Sequence, residues 1–379
     1  MRIERKLIKA ARVLATKLFK AKSGTAQSRR EPTTELHPCS LGTRLVVRRG
    51  NQSLSRIVAT EPIPQAVSLS SQWMQACQAA RGEAEIILSD DTAEFRWDDG
   101  EFPKSLRLSL MPAEELPAMP SLSAVDRRLF AAMAAASTAV DQGSLRYALH
   151  CIQLDGQRGT VTGTDGKQLI RFDGFTFPWN DQAILTPGSG LFGCAELRDI
   201  STVACGTTDT ELVIEASPWT FCLPLELDAR YPNVEMVVSR YSKAINRVYF
   251  DPRDLEFFAA NIRHIPGASV DFSPVTLDLN GHVDLAADGD EQSRPMRIRL
   301  SRSVHVGKAV CCSTDRKYLQ QAAKLGLTEL LRFGDTDPVV CRGEHILHLW
   351  QPLIGVTAPK DNVETIKVDS AAGSLGAAA

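Results

Sequence analysis

The feature that most constrains this chain is a repeat. A short strand-like run, a helix and then further strands separated by tight turns recur with starts near residues 3, 123 and 249. MRI followed by ERKLIKAARVLATKLFK is the first copy, with Ile3, Leu7, Ala11, Leu14 and Leu18 on one face. In the second, SLSAVDRRLFAAMAAASTAV predicts a helix with Ser123 as cap and Asp126 three positions on. Strand-like YALHCIQL (147–154), TVTGT (160–164) and KQLIRF (167–172) follow, separated by Asp155-Gly156 and Asp165-Gly166 turns. In the third, RVYF precedes DPRDLEFFAANIR, with Asp251 as cap and Pro252 in the first turn, and Asn280-Gly281 turns the strands that come after.

A second series interleaves with the first. Segments 66–97, 183–216 and 309–342 share one order: short strand, Ser or Thr cap, short helix, acidic or Gly turn, strands. Starts are about 120 and 126 residues apart in the first series and about 117 and 126 in the second. Matching periods of this length define architecture before any local motif does. The sequence therefore predicts an α+β protein of three tandem domains, 1–115, 121–235 and 246–357, each a doubled strand-helix-meander unit. Segments 111–121 and 237–246 read as linkers, and the small, polar residues 358–379 as a disordered tail.

Composition narrows the function classes. At 379 residues the chain exceeds one ordinary core, and no run of about 18 apolar residues could cross a bilayer. The first 20 residues alternate charged and apolar side chains, unlike a secretory signal, so a cytoplasmic setting is expected. Nine cysteines without a CxxC pair point to buried thiols rather than a disulfide framework or a zinc site; no metal or cofactor is expected. The net charge is -2, yet residues 1–30 hold ten Lys or Arg against Glu4 alone. A basic element on an acidic body fits a polyanion touched at one defined place.

RYALHCIQLDGQRGTVTGTDGKQLIRF, LELDARYPNVEMVV, RKYLQQAAKLG and HLWQPLIG, in this order, resemble the bacterial DNA polymerase III β subunit, the sliding clamp, as a divergent member or paralogue. The likeness covers 66–355 well and 1–65 weakly, where the first domain looks shortened. It implies a head-to-tail homodimeric ring around double-stranded DNA, with helices lining the hole and antiparallel sheets outside. Such a ring is a non-catalytic processivity factor for a DNA polymerase catalytic subunit, placed on DNA by a clamp loader. The DNA-facing candidates are Arg5, Lys6, Lys9, Arg12, Lys17, Arg29, Arg30, Arg127, Arg128, Tyr147, Arg198, Arg253, Arg263, Arg316, Lys317 and Lys324. The family also docks partner peptides in a cleft between its second and third domains. Carried over by motif, that cleft comprises Leu149, Thr164, Gly166, Lys167, Gln168, Leu169, Pro232, Met236, Val237, Leu349, Trp350, Gln351, Pro352 and Leu353. Lys167 and Gln168 replace the family's His-Arg, Gln351 replaces a Met, and Gly188, Ser189 and Gly190 stand where basic residues are common.

Other readings have less behind them. GSGLFG (188–193) spells a dinucleotide fingerprint, but no parallel strand with a terminal acid follows. His345 and His348 sit in a strand-like run whose alternation sends them to opposite faces, so both are expected to be structural. The basic N-terminal helix could serve a membrane surface or a transit peptide, yet Ile3 begins the repeat in register. No nucleophile with a placed base emerges. A clamp-derived scaffold that no longer encircles DNA is the alternative function.

Overall fold

The computed structural model describes residues 1–19, 31–58, 61–144, 146–186, 190–238, 243–267, 273–289, 293–356 and 364–372; Arg29, Arg30, Gly188 and Ser189 lie outside them. Five of the six expected strand-to-helix starts are present. Arg2–Glu4 leads into α1 (Arg5–Leu18), Val67–Ser70 into the short α2 (Gln72–Ala76), and Ser123–Val125 into α3 (Arg128–Thr138). After the four-residue α4 (Glu235–Val238), Asn246–Tyr249 leads into α5 (Pro252–Asn261) and Val310–Asp315 into α6 (Arg316–Lys324). The sixth start differs. Gln182–Leu185 is followed by a single 3-10 turn, Ala195–Leu197, because the Gly-rich segment before it is a poor helix former.

Local chemistry explains most boundaries. Asp251 accepts the Arg253 N–H ahead of α5, with Pro252 at its first position, and Asp315 accepts the Lys317 N–H ahead of α6. Ser123 is not a cap but part of a strand, and the Asp126 carboxylate receives the Arg128 N–H at 2.8 Å instead. On α1 the buried face is Ile8, Ala11, Leu14, Ala15 and Leu18, with Leu7 half-buried at its margin. The expected strand 147–154 is shortened to Ile152–Asp155. Tyr147 (φ 47°) and Ala148 (φ 50°) adopt left-handed backbone, and the chain closes on itself through Leu149 N–H to Arg146 O and Cys151 N–H to Ala148 O.

The chain divides into two compact units, residues 1–161 with 174–231, and residues 162–173 with 232–379. In the first, Arg2–Glu4, Glu83–Leu88, Thr92–Asp98 and Pro103–Ser109 form a four-stranded antiparallel sheet. A nine-stranded sheet runs through both halves of this unit, because Trp219–Pro224 pairs with Gln52–Val58 through Phe221 and Leu54. A sheet shared in this way joins residues 1–161 and 174–231 in one unit. In the second unit, Gln168–Phe172, Ile346–Trp350, Val339–Gly343, Glu329–Arg332, Asn246–Tyr249 and Val304–Gly307 are neighbouring strands. Val248, Phe258, Leu277, Leu285, Ile298, Leu319, Leu330 and Trp350 fill its core.

The tail is partly ordered, against expectation. Ile366–Asp369 adds in parallel to Met296–Arg299 at a sheet edge, where backbone hydrogen bonding matters more than side-chain apolarity. Beyond it the buried Ser370 donates at 2.7 Å to the carboxylate of Asp254, which is fully buried and also holds Ser303 Oγ at 2.7 Å and Arg302 Nη1 at 3.2 Å.

Candidate functional site

The cations proposed from the sequence have different fates. Arg5, Lys6, Lys9 and Lys17 are exposed on α1, a helix without a single acidic residue, while Arg12 is half-buried and donates to Gln78 Oε1. Arg127, Arg198, Arg263, Lys317 and Lys324 are exposed as well. Arg127, Arg128 and Arg198 ring a cavity of about 410 Å³ floored by Phe130, Phe192 and Leu197. Two arginines are largely neutralised where they stand: Arg253 binds Asp251 at 3.1 and 3.2 Å, and Arg128 binds Asp126 at 2.9 Å while lying over the Phe175 ring. The Arg253 side chain lowers the Asp251 carboxyl below its usual range, and the Arg128 backbone N–H, helped by its guanidinium, does the same for Asp126, so both stay ionised.

Arg316 is a correction. Its guanidinium is buried and donates to the carbonyl oxygens of Ser273 (2.9 Å), Ile265 (2.5 Å) and Pro266, clamping the loop ahead of Pro274–Leu279 to α6. Burial lowers its pKa, and with its N–H groups turned inward onto carbonyls the guanidinium is out of reach of a phosphate. Tyr147 stands 71% exposed on the left-handed turn.

The Thr-Asp-Gly turn is held by its own side chains. Thr164 Oγ1 accepts the Gly166 N–H at 3.1 Å and donates to Gln168 O at 2.6 Å. Asp165 Oδ1 accepts the Lys167 and Gln168 N–H groups at 2.8 Å each, and Gly166 takes φ 86°, the left-handed region that glycine enters at no steric cost. The strand that leaves this turn pairs Gln168 with Trp350 and Leu169 with Leu349, and Gln351 N–H extends the pairing to Lys167 O at 2.9 Å. Two sequence-distant candidate segments thus share one sheet within the second unit. Arg171 fastens α4 to the same strand through Glu235 at 2.7 Å.

Depth separates the cleft candidates. Met236 is 60% exposed; Val237, Pro232 and Leu353 are half-buried; Gly166, Lys167 and Gln351 are exposed. Thr164, Leu169, Leu349 and Pro352 are buried, and Trp350 belongs wholly to the core, out of reach of a ligand. Leu149 belongs to the first unit and is half-buried. The sequence missed Ile354, 68% exposed just past Leu353, and the Arg171–Glu235 pair; an apolar residue ending a closing strand was the available signal for the first.

The two histidines separate, though not by strand alternation, because His345 lies in the exposed turn ahead of Ile346–Trp350. His345, on a left-handed turn, meets Asp173 at 2.8 Å, whereas His348 is buried with Nε2 3.2 Å from Gln168 Oε1 and the Tyr318 ring edge-on to it. Burial depresses the His348 pKa to about 3, leaving a neutral ring. Of the nine cysteines, seven are buried, Cys39 is half-buried and Cys311 is exposed. Among the described residues, no helix is long and apolar enough to cross a membrane.

No family model and no curated protein matches the chain. Solved structures do. The sliding clamp of Pseudomonas aeruginosa bound to griselimycin is 16% identical with TM-score 0.73, covering 93% of this chain and 98% of that one. The sliding clamp of Bacillus subtilis is 16% identical with TM-score 0.73, covering 94% and 99%. The DNA polymerase III β subunit of Thermotoga maritima is 12% identical with TM-score 0.71, covering 94% and 99%. The repeated strand-helix units and antiparallel sheets of this chain are the fold of the bacterial DNA polymerase III β sliding clamps.

Proposed function

We propose that the chain is a sliding clamp, a cytoplasmic and non-catalytic processivity factor that encircles duplex DNA as a homodimeric ring. The observation that carries this reading is the correspondence with clamp structures over 93% of the chain. Three tandem domains, 1–115, 121–235 and 246–357, would make half of the ring. A ring is retained by topology, so it needs only weak attraction to phosphates and no contact with base edges. The exposed, acid-free polar face of α1 suits that task, with Arg127, Arg198, Arg263, Lys317 and Lys324 in support. Two strands offer edges for head-to-tail pairing between copies: Pro103–Ser109 and Val304–Gly307 each end a sheet, and Val304 and Val306 are about half exposed. Polymerase and clamp-loader peptides would dock on the accessible apolar side chains of the second unit, Met236, Val237, Leu353 and Ile354, with the exposed Gly166–Lys167 turn in support.

The test is the mass of the full-length protein by light scattering, followed by retention on nicked circular against linearised DNA. A dimer that stays on circles and leaves linear ends supports the clamp. A monomer, or equal salt-sensitive binding to both, supports the second reading, a clamp-fold scaffold that does not encircle DNA. The burial of Arg316 and the pairing of Arg128 and Arg253 favour that alternative, because they thin the positive charge available.

A further inference from the structure

His150, Cys151 and Glu226 each bring one potential ligand atom within 4.8 Å of the other two. Neighbours in a strand would point apart, but His150 and Cys151 follow the left-handed pair Tyr147 and Ala148 in a tight turn, which keeps both side chains on one side. Glu226 reaches the same place from the segment after Trp219–Pro224, its N–H held by Ile184 O at 2.8 Å. Thr186 lies between them: its hydroxyl donates to Glu226 Oε1 at 2.9 Å and is 3.7 Å from Cys151 Sγ. His150 Nδ1 is buried without a hydrogen-bond partner, a state that ordinarily costs free energy. Ala148, Ile184, Ala229 and Tyr231 pack around the buried thiol.

We propose that His150, Cys151 and Glu226 bind one divalent transition metal of the zinc class. An imidazole nitrogen, a thiolate and a carboxylate form a mixed donor set that suits zinc and disfavours calcium or magnesium, which take oxygen ligands. Metal bonds of about 2.0–2.3 Å place tetrahedral ligand atoms roughly 3.5 Å apart, so the exposed Glu226 must swing inward slightly. Binding releases the Cys151 proton to solvent, and a water completes the fourth position. The bound ion would clip the strained turn at 147–150, which carries Leu149, to the distant Glu226 segment. This site does not depend on the clamp reading.

The experiment titrates Co(II) into the reduced full-length protein and then competes with Zn(II). The expected result is one equivalent per chain with a thiolate-to-metal charge-transfer absorption that Zn(II) abolishes. Cys151→Ser should remove the band and Cys311→Ser should keep it. Because Cys151 is buried and its variant could misfold, Glu226→Gln at an exposed position is the second probe, expected to weaken Co(II) by at least about tenfold. Absence of the band in the wild type, its persistence in Cys151→Ser, or unchanged affinity in Glu226→Gln would each overturn the proposal.

Discussion

The Arg316 guanidinium is held by the carbonyl oxygens of Ile265, Pro266 and Ser273, so its role is to tie α6 to a loop. Removing it would leave those buried acceptors unpartnered, which is a matter of stability and not of DNA. His348 carries the testable consequence of burial. Its folded pKa of about 3 lies below the ordinary value of 6.5, so the unfolded chain binds the proton more readily and stability falls with falling pH. Below about pH 6.5 the loss should approach roughly 1.4 kcal/mol per pH unit, continuing toward pH 3. Denaturation at pH 7 and pH 5 should show a smaller drop for His348→Gln than for the wild type.

Among the elements, α1 combines a buried apolar stripe with exposed Arg5, Lys6, Lys9 and Lys17. Lys6→Glu with Lys9→Glu touches no buried atom and should leave thermal unfolding unchanged. On linear DNA the same double variant should flatten the salt dependence, by about one unit of log–log slope for each phosphate no longer neutralised. An unaltered slope would remove α1 from the DNA-facing surface. The proposed peptide surface calls for different variants than the motif implies: Leu169 and Leu349 are buried, and truncating them would open cavities. Met236→Ala with Leu353→Ala is the cleaner pair, expected to weaken a polymerase-derived linear peptide by roughly tenfold or more while leaving assembly intact. Unchanged peptide affinity would move the site elsewhere.

For the molecule as a whole, the ring reading depends on two sheet edges, and the second unit on an added terminal strand. Val304→Lys with Val306→Lys places charge on an exposed edge strand and should convert a dimer to a monomer in light scattering, with fold retained by circular dichroism. A dimer that survives would place the interface elsewhere. Ending the chain at residue 356 removes Ile366–Asp369 and Ser370, which leaves the fully buried Asp254 short of a hydrogen-bond donor. The second unit is expected to lose about 2 kcal/mol in chemical denaturation. No loss would show that the added strand is dispensable.

Periodicity and turn chemistry are local, and they were legible; of the expected caps Asp251 holds, whereas Ser123 lies in a strand, Ser71 makes no side-chain cap and Asp315 rather than a Ser or Thr caps α6. The repeat, α1, α5, α6 and the Thr164–Gly166 turn all follow from residues within one or two turns of each other. Depth and long-range pairing were not legible, because they depend on which strand lies opposite. Leu169 and Trp350 carry a clamp motif, yet the pairing of Gln168–Phe172 with Ile346–Trp350 buries both. Burial likewise made Arg316 a clamp for carbonyls, and an open sheet edge gave order to residues that composition marks as a tail. The order of residues alone thus dictates a repeated strand-helix architecture with a basic first helix. Which of its cations, apolar side chains and cysteines meet solvent was set by the folded arrangement, since exposure depends on packing between residues far apart in the chain.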